Sequence, residues 1–334
     1  MSDRYLPSLR QFLTHPSGTE GPDPELVFLI EDIASACRAI GNQVRYAVFD
    51  GLTGTAGEVN VQGEAQKKLD VAADETFERI CASSRRLAAL VSEEREEITW
   101  LKEPEAGDFL LFYDPLDGSS NLDVNLSVGS IFSICQVDSE NASDVLKPGT
   151  RQICAGYAIY GPSAMLVLTT GAGVNGFSYD DRTGDFRLTH PGLTIPAETS
   201  EFAINASRYH HWDEPVRAYV DDCLAGRRGP RGRDFNMRWT ASMVADVHRI
   251  LMRGGVFLYP VDAANRDTGG KLRLLYEANP MALIVENAGG AATSGRNRIL
   301  DEPPTSHHQR IAVMLGSRDE VAQLEDYHRR MTGN

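Results

Sequence analysis

Two short acidic stretches stand directly behind apolar runs. Glu93-Glu94 follows Leu87 to Val91, and Asp114-Pro115-Leu116-Asp117-Gly118-Ser119-Ser120 follows Leu110 to Tyr113. Each run has the length of a buried strand, so both acidic groups fall at strand ends. In layered α/β structures ligands gather outside the carboxyl ends of strands, and two adjacent strands ending this way bring four carboxylates into one crevice. Such a cluster repels itself unless some groups keep their protons or a hard divalent cation neutralises them. An all-oxygen donor set suits magnesium or manganese rather than zinc. Pro115 holds a tight bend that lets Asp114 and Asp117 converge on one ion, with the Leu116 carbonyl aimed the same way. Gly118, Ser119 and Ser120 then open a polar turn whose amides and hydroxyls suit phosphate oxygens. Taken alone, Glu93-Glu94 belongs to the charged run Ser92 to Glu97 and reads as a solvated turn. The second stretch alone could be a Pro-Gly turn with a capping serine, but two acids, Pro, Gly and Ser in this order behind a buried strand are far less generic.

The whole chain agrees with a site that needs cations. A net charge of −14 over 334 residues argues against a surface that tracks nucleic-acid phosphates, and it makes local positive charge or bound metal necessary for an anionic ligand. The cysteines Cys37, Cys81, Cys135, Cys154 and Cys223 show no CxxC spacing, which suggests neither a disulfide framework nor a zinc site and fits a reducing cytoplasm. No signal-peptide pattern follows Met1, and no apolar run approaches bilayer-spanning length, so neither secretion nor a membrane partner is expected.

The elements that must position these carboxylates can be read from periodicity. Leu26, Ile30, Ile33, Cys37, Ile40 and Val44 alternate four and three apart as on one helix face, and Leu69, Ala72, Ala73, Thr76, Phe77 and Ile80 suggest a second helix. Between them, Phe49 to Gly63 is rich in Gly and Thr and reads as an irregular loop. Strands are expected at Leu87–Val91, Phe109–Tyr113, Ser130–Val137, Ala155–Tyr160 and Ala164–Thr170. Pro191, Gly192 and Pro196 mark the expected boundary between domains at 1–193 and 194–334. Beyond it, Ser242–Met252 and Asp319–Arg330 read as helices, and Val256–Tyr259 and Ile311–Leu315 as buried strands.

Tyr113 to Asn121, YDPLDGSSN, resembles the signature of the lithium-sensitive phosphatase superfamily, which includes inositol monophosphatases and class I fructose-1,6-bisphosphatases. Lys67-Lys68-Leu69-Asp70, Val91-Ser92-Glu93-Glu94, Ser242 to Arg249 and Gly270 to Glu277 resemble the bisphosphatases, and the likeness runs over nearly the whole chain. Inositol phosphatases usually carry a later Trp-Asp motif; here the region reads Leu275-Tyr276-Glu277-Ala278. The resemblance implies an α/β fold, a layered α-β-α-β-α sandwich. It implies more than one Mg2+ ion per site (Mn2+ being possible), held by Glu93, Asp114, the Leu116 carbonyl, Asp117 and Glu277, with Glu64 at a further ion. Asp70 and Glu94 would polarise the attacking water, Glu94 being favoured over Asp70 as proton acceptor and geometry deciding which one reaches it. Asp117, Gly118, Ser119 and Ser120 would take the reacting phosphate. Asn205, Arg238 and Tyr259 would take the distal one, with Lys271 between sugar and phosphate and Met243 also at the substrate.

The implied reaction is hydrolysis of the 1-phosphate of fructose 1,6-bisphosphate, in gluconeogenesis or a carbon-fixing cycle. The alternatives are sedoheptulose 1,7-bisphosphate as substrate, or a silent sugar-phosphate sensor. Arg238 resembles a residue that crosses from a neighbouring subunit, which implies a homo-oligomer, a tetramer. The chain departs from the family pattern at Trp239, where a tyrosine is common, at Arg208 near another such tyrosine, and within Asp262 to Gly270, which is two residues longer. Asp108-Phe109 replaces the Lys-Tyr pair that binds AMP in animal members, so inhibition of that type is not expected.

Overall fold

Asp23 starts the first long helix by accepting a hydrogen bond from the Glu25 amide at 2.9 Å, and Pro24, which has no amide proton to leave unpaired, occupies the first turn. The computed structural model describes residues 6–14, 21–59, 65–138, 141 and 143–332. The chain divides into two units, Met1–Val145 with Gln152–Gly192, and Leu146–Arg151 with Leu193–Asn334. A single cut in the sequence therefore does not describe the division, because the short segment Leu146–Arg151 belongs with the second unit.

In the first unit, α1 (Leu9–Thr14) and α2 (Pro24–Tyr46) precede β1 (Thr55–Val59), β2 (Ala65–Lys67) and α3 (Lys68–Cys81). The expected stripe of α2 is realised, with Leu26, Ile30, Ile33, Cys37 and Ile40 all buried. Part of the segment read as an irregular loop forms β1, which pairs antiparallel with β2. Then come β3 (Leu87–Ser92), β4 (Thr99–Trp100), β5 (Phe109–Asp117), β6 (Val128–Gln136), β7 (Gln152–Tyr160), β8 (Ala164–Thr169), β9 (Val174–Asp180) and β10 (Asp185–Leu193). They form one sheet in the order β10-β9-β8-β7-β6-β5-β3-β4. Among the described residues β3 and β5 pair parallel, and β5 through β9 pair antiparallel in succession. One core cluster joins α2 and α3 to this sheet through Ile33, Phe77, Leu90, Leu111 and Phe132.

The second unit holds β11 (Glu201–Ala203), α4 (Glu214–Leu224), β12 (Asn236–Met237), α5 (Met243–Arg253), β13 (Val256–Tyr259), β14 (Leu272–Arg273), α6 (Asn279–Asn287), β15 (Ala291–Thr293), β16 (Arg310–Ile311), β17 (Val313–Gly316) and α7 (Arg318–Thr332). Its main sheet runs β12-β11-β13-β17-β15. The expected single strand Ile311–Leu315 is broken at Ala312, since β16 pairs with β14 and β17 with β13 and β15. Both units thus combine helices and sheets in a mixed α/β fold. Among the described residues no helix is long and apolar enough to cross a membrane.

Candidate active site

The parallel pairing of β3 with β5 sets Ser92 opposite Tyr113, and the Glu93 amide donates to the Tyr113 carbonyl at 3.1 Å. Glu93 and Glu94 therefore stand in the turn directly after β3, with the Glu93 amide hydrogen-bonded to β5 at the residue before Asp114. Both glutamates are half-buried rather than solvated.

Asp114 to Asp117 lies inside β5, not beyond it, and Pro115 marks a bulge rather than the end of the strand. The pairing with β6 steps from Asp114↔Ile131 to Asp117↔Gly129, so β5 carries one extra residue. In a regular strand residues three apart face opposite sides; the extra residue returns Asp117 to the side of Asp114. Each offers a carboxylate oxygen within 4.8 Å of the other, and both side chains are buried. Pro115, with no amide to give to the ladder, suits the bulge. The Leu116 amide donates to Asp114 Oδ1 at 2.9 Å, which fixes that carboxylate. Gly118 follows at φ +75°, a left-handed conformation that glycine adopts without strain, and leads into the 3-10 turn Ser119–Val124.

Asp70 enters from the first turn of α3. Its Oδ2 accepts the Lys67 amide at 2.9 Å, while Oδ1 is buried with no hydrogen-bond partner among the described residues. Burial first, then the neighbouring Glu94 charge, push its carboxyl up to about 7 against the pull of the Lys67 amide. A buried carboxyl raised in this way beside a second acid has the character of a proton-handling group.

Sequence reasoning missed the residue that ties these parts together. Asp74, one turn below Asp70 on α3, is buried. Its Oδ1 accepts Ser92 Oγ at 2.6 Å and the Tyr113 hydroxyl at 2.9 Å, and its Oδ2 accepts Arg95 Nε at 2.6 Å. Ser92 Oγ in turn accepts the Glu94 amide at 3.2 Å, and Arg95 also reaches Glu78 at 2.7 Å. One carboxylate thus joins α3 to the carboxyl end of β3 and to the middle of β5, directly before the bulge. The signal was present in the i, i+4 spacing of Asp70 and Asp74.

The second unit carries the remaining expected residues. Glu277 is buried in a π-helical turn, Leu274–Ala278, and its Oε2 accepts the Arg273 amide at 2.6 Å. A π turn of this kind is often kept where a side chain must be aimed. Asn205 and Tyr259 line one pocket together with Arg208 and Trp239. Asn205 Oδ1 accepts from the Ser207 amide at 3.2 Å and hydroxyl at 2.6 Å. Arg208 makes a two-pronged pair with Asp262, at 2.8 and 3.0 Å, which sequence reasoning had not foreseen. Trp239 stacks on Phe257 with ring centres 5.8 Å apart. Arg238, Met243 and Lys271 lie outside that lining. The Arg238 amide donates to the Phe202 carbonyl at 2.8 Å and its side chain is mostly exposed, while Met243 is buried at the start of α5 and Lys271 is exposed. Glu64 lies outside the described residues.

Residues 10–191 match the sequence model of the fructose-1-6-bisphosphatase N-terminal domain, and residues 195–329 that of the C-terminal domain. The class 1 fructose-1,6-bisphosphatase of Methylobacillus flagellatus is 52% identical over 322 residues, spanning 96% of this chain and 97% of its own. The crystal structure of Leishmania major fructose-1,6-bisphosphatase in holo form superposes with a TM-score of 0.89 at 37% identity, covering 98% of this chain and all of that one. The apo form of the same enzyme gives 0.84 at 36% identity with the same coverage of this chain. Two domain matches spanning both units, and a relative of this identity along nearly the full length, show that the chain belongs to the class 1 fructose-1,6-bisphosphatase family.

Proposed function

We infer that the chain hydrolyses the 1-phosphate of D-fructose 1,6-bisphosphate, releasing fructose 6-phosphate and phosphate. The observation that carries this reading is the bulge in β5, which turns two buried carboxylates to one side, just after the residue whose carbonyl accepts the Glu93 amide. Hard oxygen donors, buried and within one ion's reach of each other, fit magnesium or manganese. Asp114 and Asp117 would hold the metal, and the motif resemblance adds Glu93, the Leu116 carbonyl, Glu277 and Glu64 to the proposed ligands. The metal, when bound, supplies positive charge that neutralises the phosphoryl oxygens and the leaving oxygen.

The remaining chemistry falls to the protein. Water must attack phosphorus in line with the ester bond that breaks, and the protein's task is chiefly positioning and charge stabilisation. Asp70 and Glu94 orient that water, and Glu94 takes its proton. The turn from Asp117 to Ser120 receives the reacting phosphoryl group through amides and hydroxyls. Asn205, Tyr259, Arg208 and Arg238 are the groups proposed for the distal phosphate, with Met243 and Lys271 toward the sugar. Arg238, exposed within its own chain, supports the proposed homo-oligomer, a tetramer, in which it serves a neighbour's substrate. The five buried, unbridged cysteines suit a reducing compartment such as the cytoplasm. A panel of fructose 1,6-bisphosphate, sedoheptulose 1,7-bisphosphate and inositol monophosphate tests the assignment. The highest kcat/KM belongs to the first; a higher value for either of the others overturns it.

A further inference from the structure

A bulge takes backbone groups out of the ladder, and a buried carbonyl so released needs another donor. At Pro115 that donor is a side chain. Ser130, fully buried on β6, donates its hydroxyl to the Pro115 carbonyl at 2.7 Å, and its oxygen lies 2.7 Å from the Tyr160 hydroxyl at the end of β7. A serine has one hydroxyl proton, and here it goes to a carbonyl that can only accept, so Tyr160 must be the donor to Ser130. Burial holds the Tyr160 phenol protonated far above its usual range, which keeps that donor in place.

The tyrosine ring is itself lodged by a helix. A Cβ added at Gly41, in the interior of α2, would stand 3.2 Å from Tyr160 Cδ1 and 3.4 Å from Cε1. Glycine inside a helix costs about 1 kcal/mol relative to alanine, and the close approach of the ring gives it a reason to be there. Cys37, one turn earlier on α2, lies against the same phenol. A directed chain thus runs from α2 through Tyr160 and Ser130 to the carbonyl at the centre of the bulge.

We propose that Ser130 and Tyr160 are positioning residues for the metal site: by holding the Pro115 carbonyl they hold the bulge that keeps Asp114 and Asp117 on one side. Neither touches the reacting atoms. The proposal rests on the reading of Asp114 and Asp117 as metal ligands, and the test separates the two. Mn2+ binding is measured by titration calorimetry on the full chain and on Ser130→Ala, Tyr160→Phe, Gly41→Ala and Ser130→Thr, with the thermal midpoint of each recorded alongside. Outer groups that orient ligands typically alter metal affinity by about 10–100-fold. Ser130→Ala and Tyr160→Phe should raise the Kd at least about 10-fold, Gly41→Ala should raise it in the same direction, and Ser130→Thr, which keeps the hydroxyl, should restore it to within about threefold. Should Ser130→Ala fail to fold, Tyr160→Phe and Gly41→Ala carry the test. A wild-type chain that binds no Mn2+ overturns the ligand reading and this proposal with it. Wild-type binding with an unchanged Kd in the folded variants, whatever their thermal midpoints, overturns the positioning role alone.

Discussion

Arg95 Nε donates to Asp74 Oδ2 at 2.6 Å, and this contact, with a second to Glu78, ties the residue after Glu94 to the helix that presents Asp70. Asp74 is buried and Arg95 is partly exposed, so removing the acid leaves Arg95 with Glu78 as its remaining carboxylate partner and the Ser92 and Tyr113 hydroxyls without their acceptor. Breaking a buried pair from one side typically costs about 3–5 kcal/mol. Asp74→Ala should therefore lower the free energy of denaturant unfolding by about 3 kcal/mol. A change within about 0.5 kcal/mol, the range of an ordinary surface substitution, would show that the contact holds nothing.

Asp70 gives a prediction with a definite sign. Its carboxyl is raised from 3.8 to about 7, chiefly by burial and then by Glu94, so folding favours the protonated form. The stability this group allows is complete below pH about 4 and is lost as pH rises through about 7. In metal-free protein, Asp70→Asn should be more stable than wild type at pH 8, by up to on the order of 4 kcal/mol, with no advantage at pH 4. Thermal unfolding in chelator at the two pH values measures this. A variant less stable than wild type at pH 8 contradicts it.

The Arg208 guanidinium is held flat by both oxygens of Asp262 in a pocket it shares with Tyr259 and Trp239. The distal phosphate does not react, so its contacts mainly bind substrate. Arg208→Ala should raise KM for the bisphosphate about 10-fold or more while kcat changes less than about threefold. An equal fall in kcat with KM unchanged would remove Arg208 from the distal-phosphate site.

Much of this site was legible because its chemistry is carried by local sequence. The acids behind Leu87–Val91 and Leu110–Tyr113 pointed to two adjacent strands, and β3 and β5 do pair side by side in parallel. The form of the DPLD segment was not legible: a proline between acids reads as a bend, and only the pairing with β6 reveals a bulge. Asp74 escaped notice because its partners, Ser92, Arg95 and Tyr113, are distant in sequence from it and look ordinary singly. Helix α6, Asn279–Asn287, is apolar on nearly every side because it is almost wholly buried, which erases the period that identifies amphipathic helices. Helix α4 did carry that period, in Val216, Tyr219, Val220 and Cys223, and could have been found.

The central claim is that carboxylates gathered by the β5 bulge direct metal-dependent hydrolysis at the 1-phosphate. Its most direct measurement is phosphate release from fructose 1,6-bisphosphate by chelator-treated protein before and after Mg2+ is restored, with the sugar product identified. No turnover is expected in chelator, with recovery on addition of Mg2+ and fructose 6-phosphate as the product. Full turnover after exhaustive chelation, or fructose 1-phosphate as the product, would contradict it.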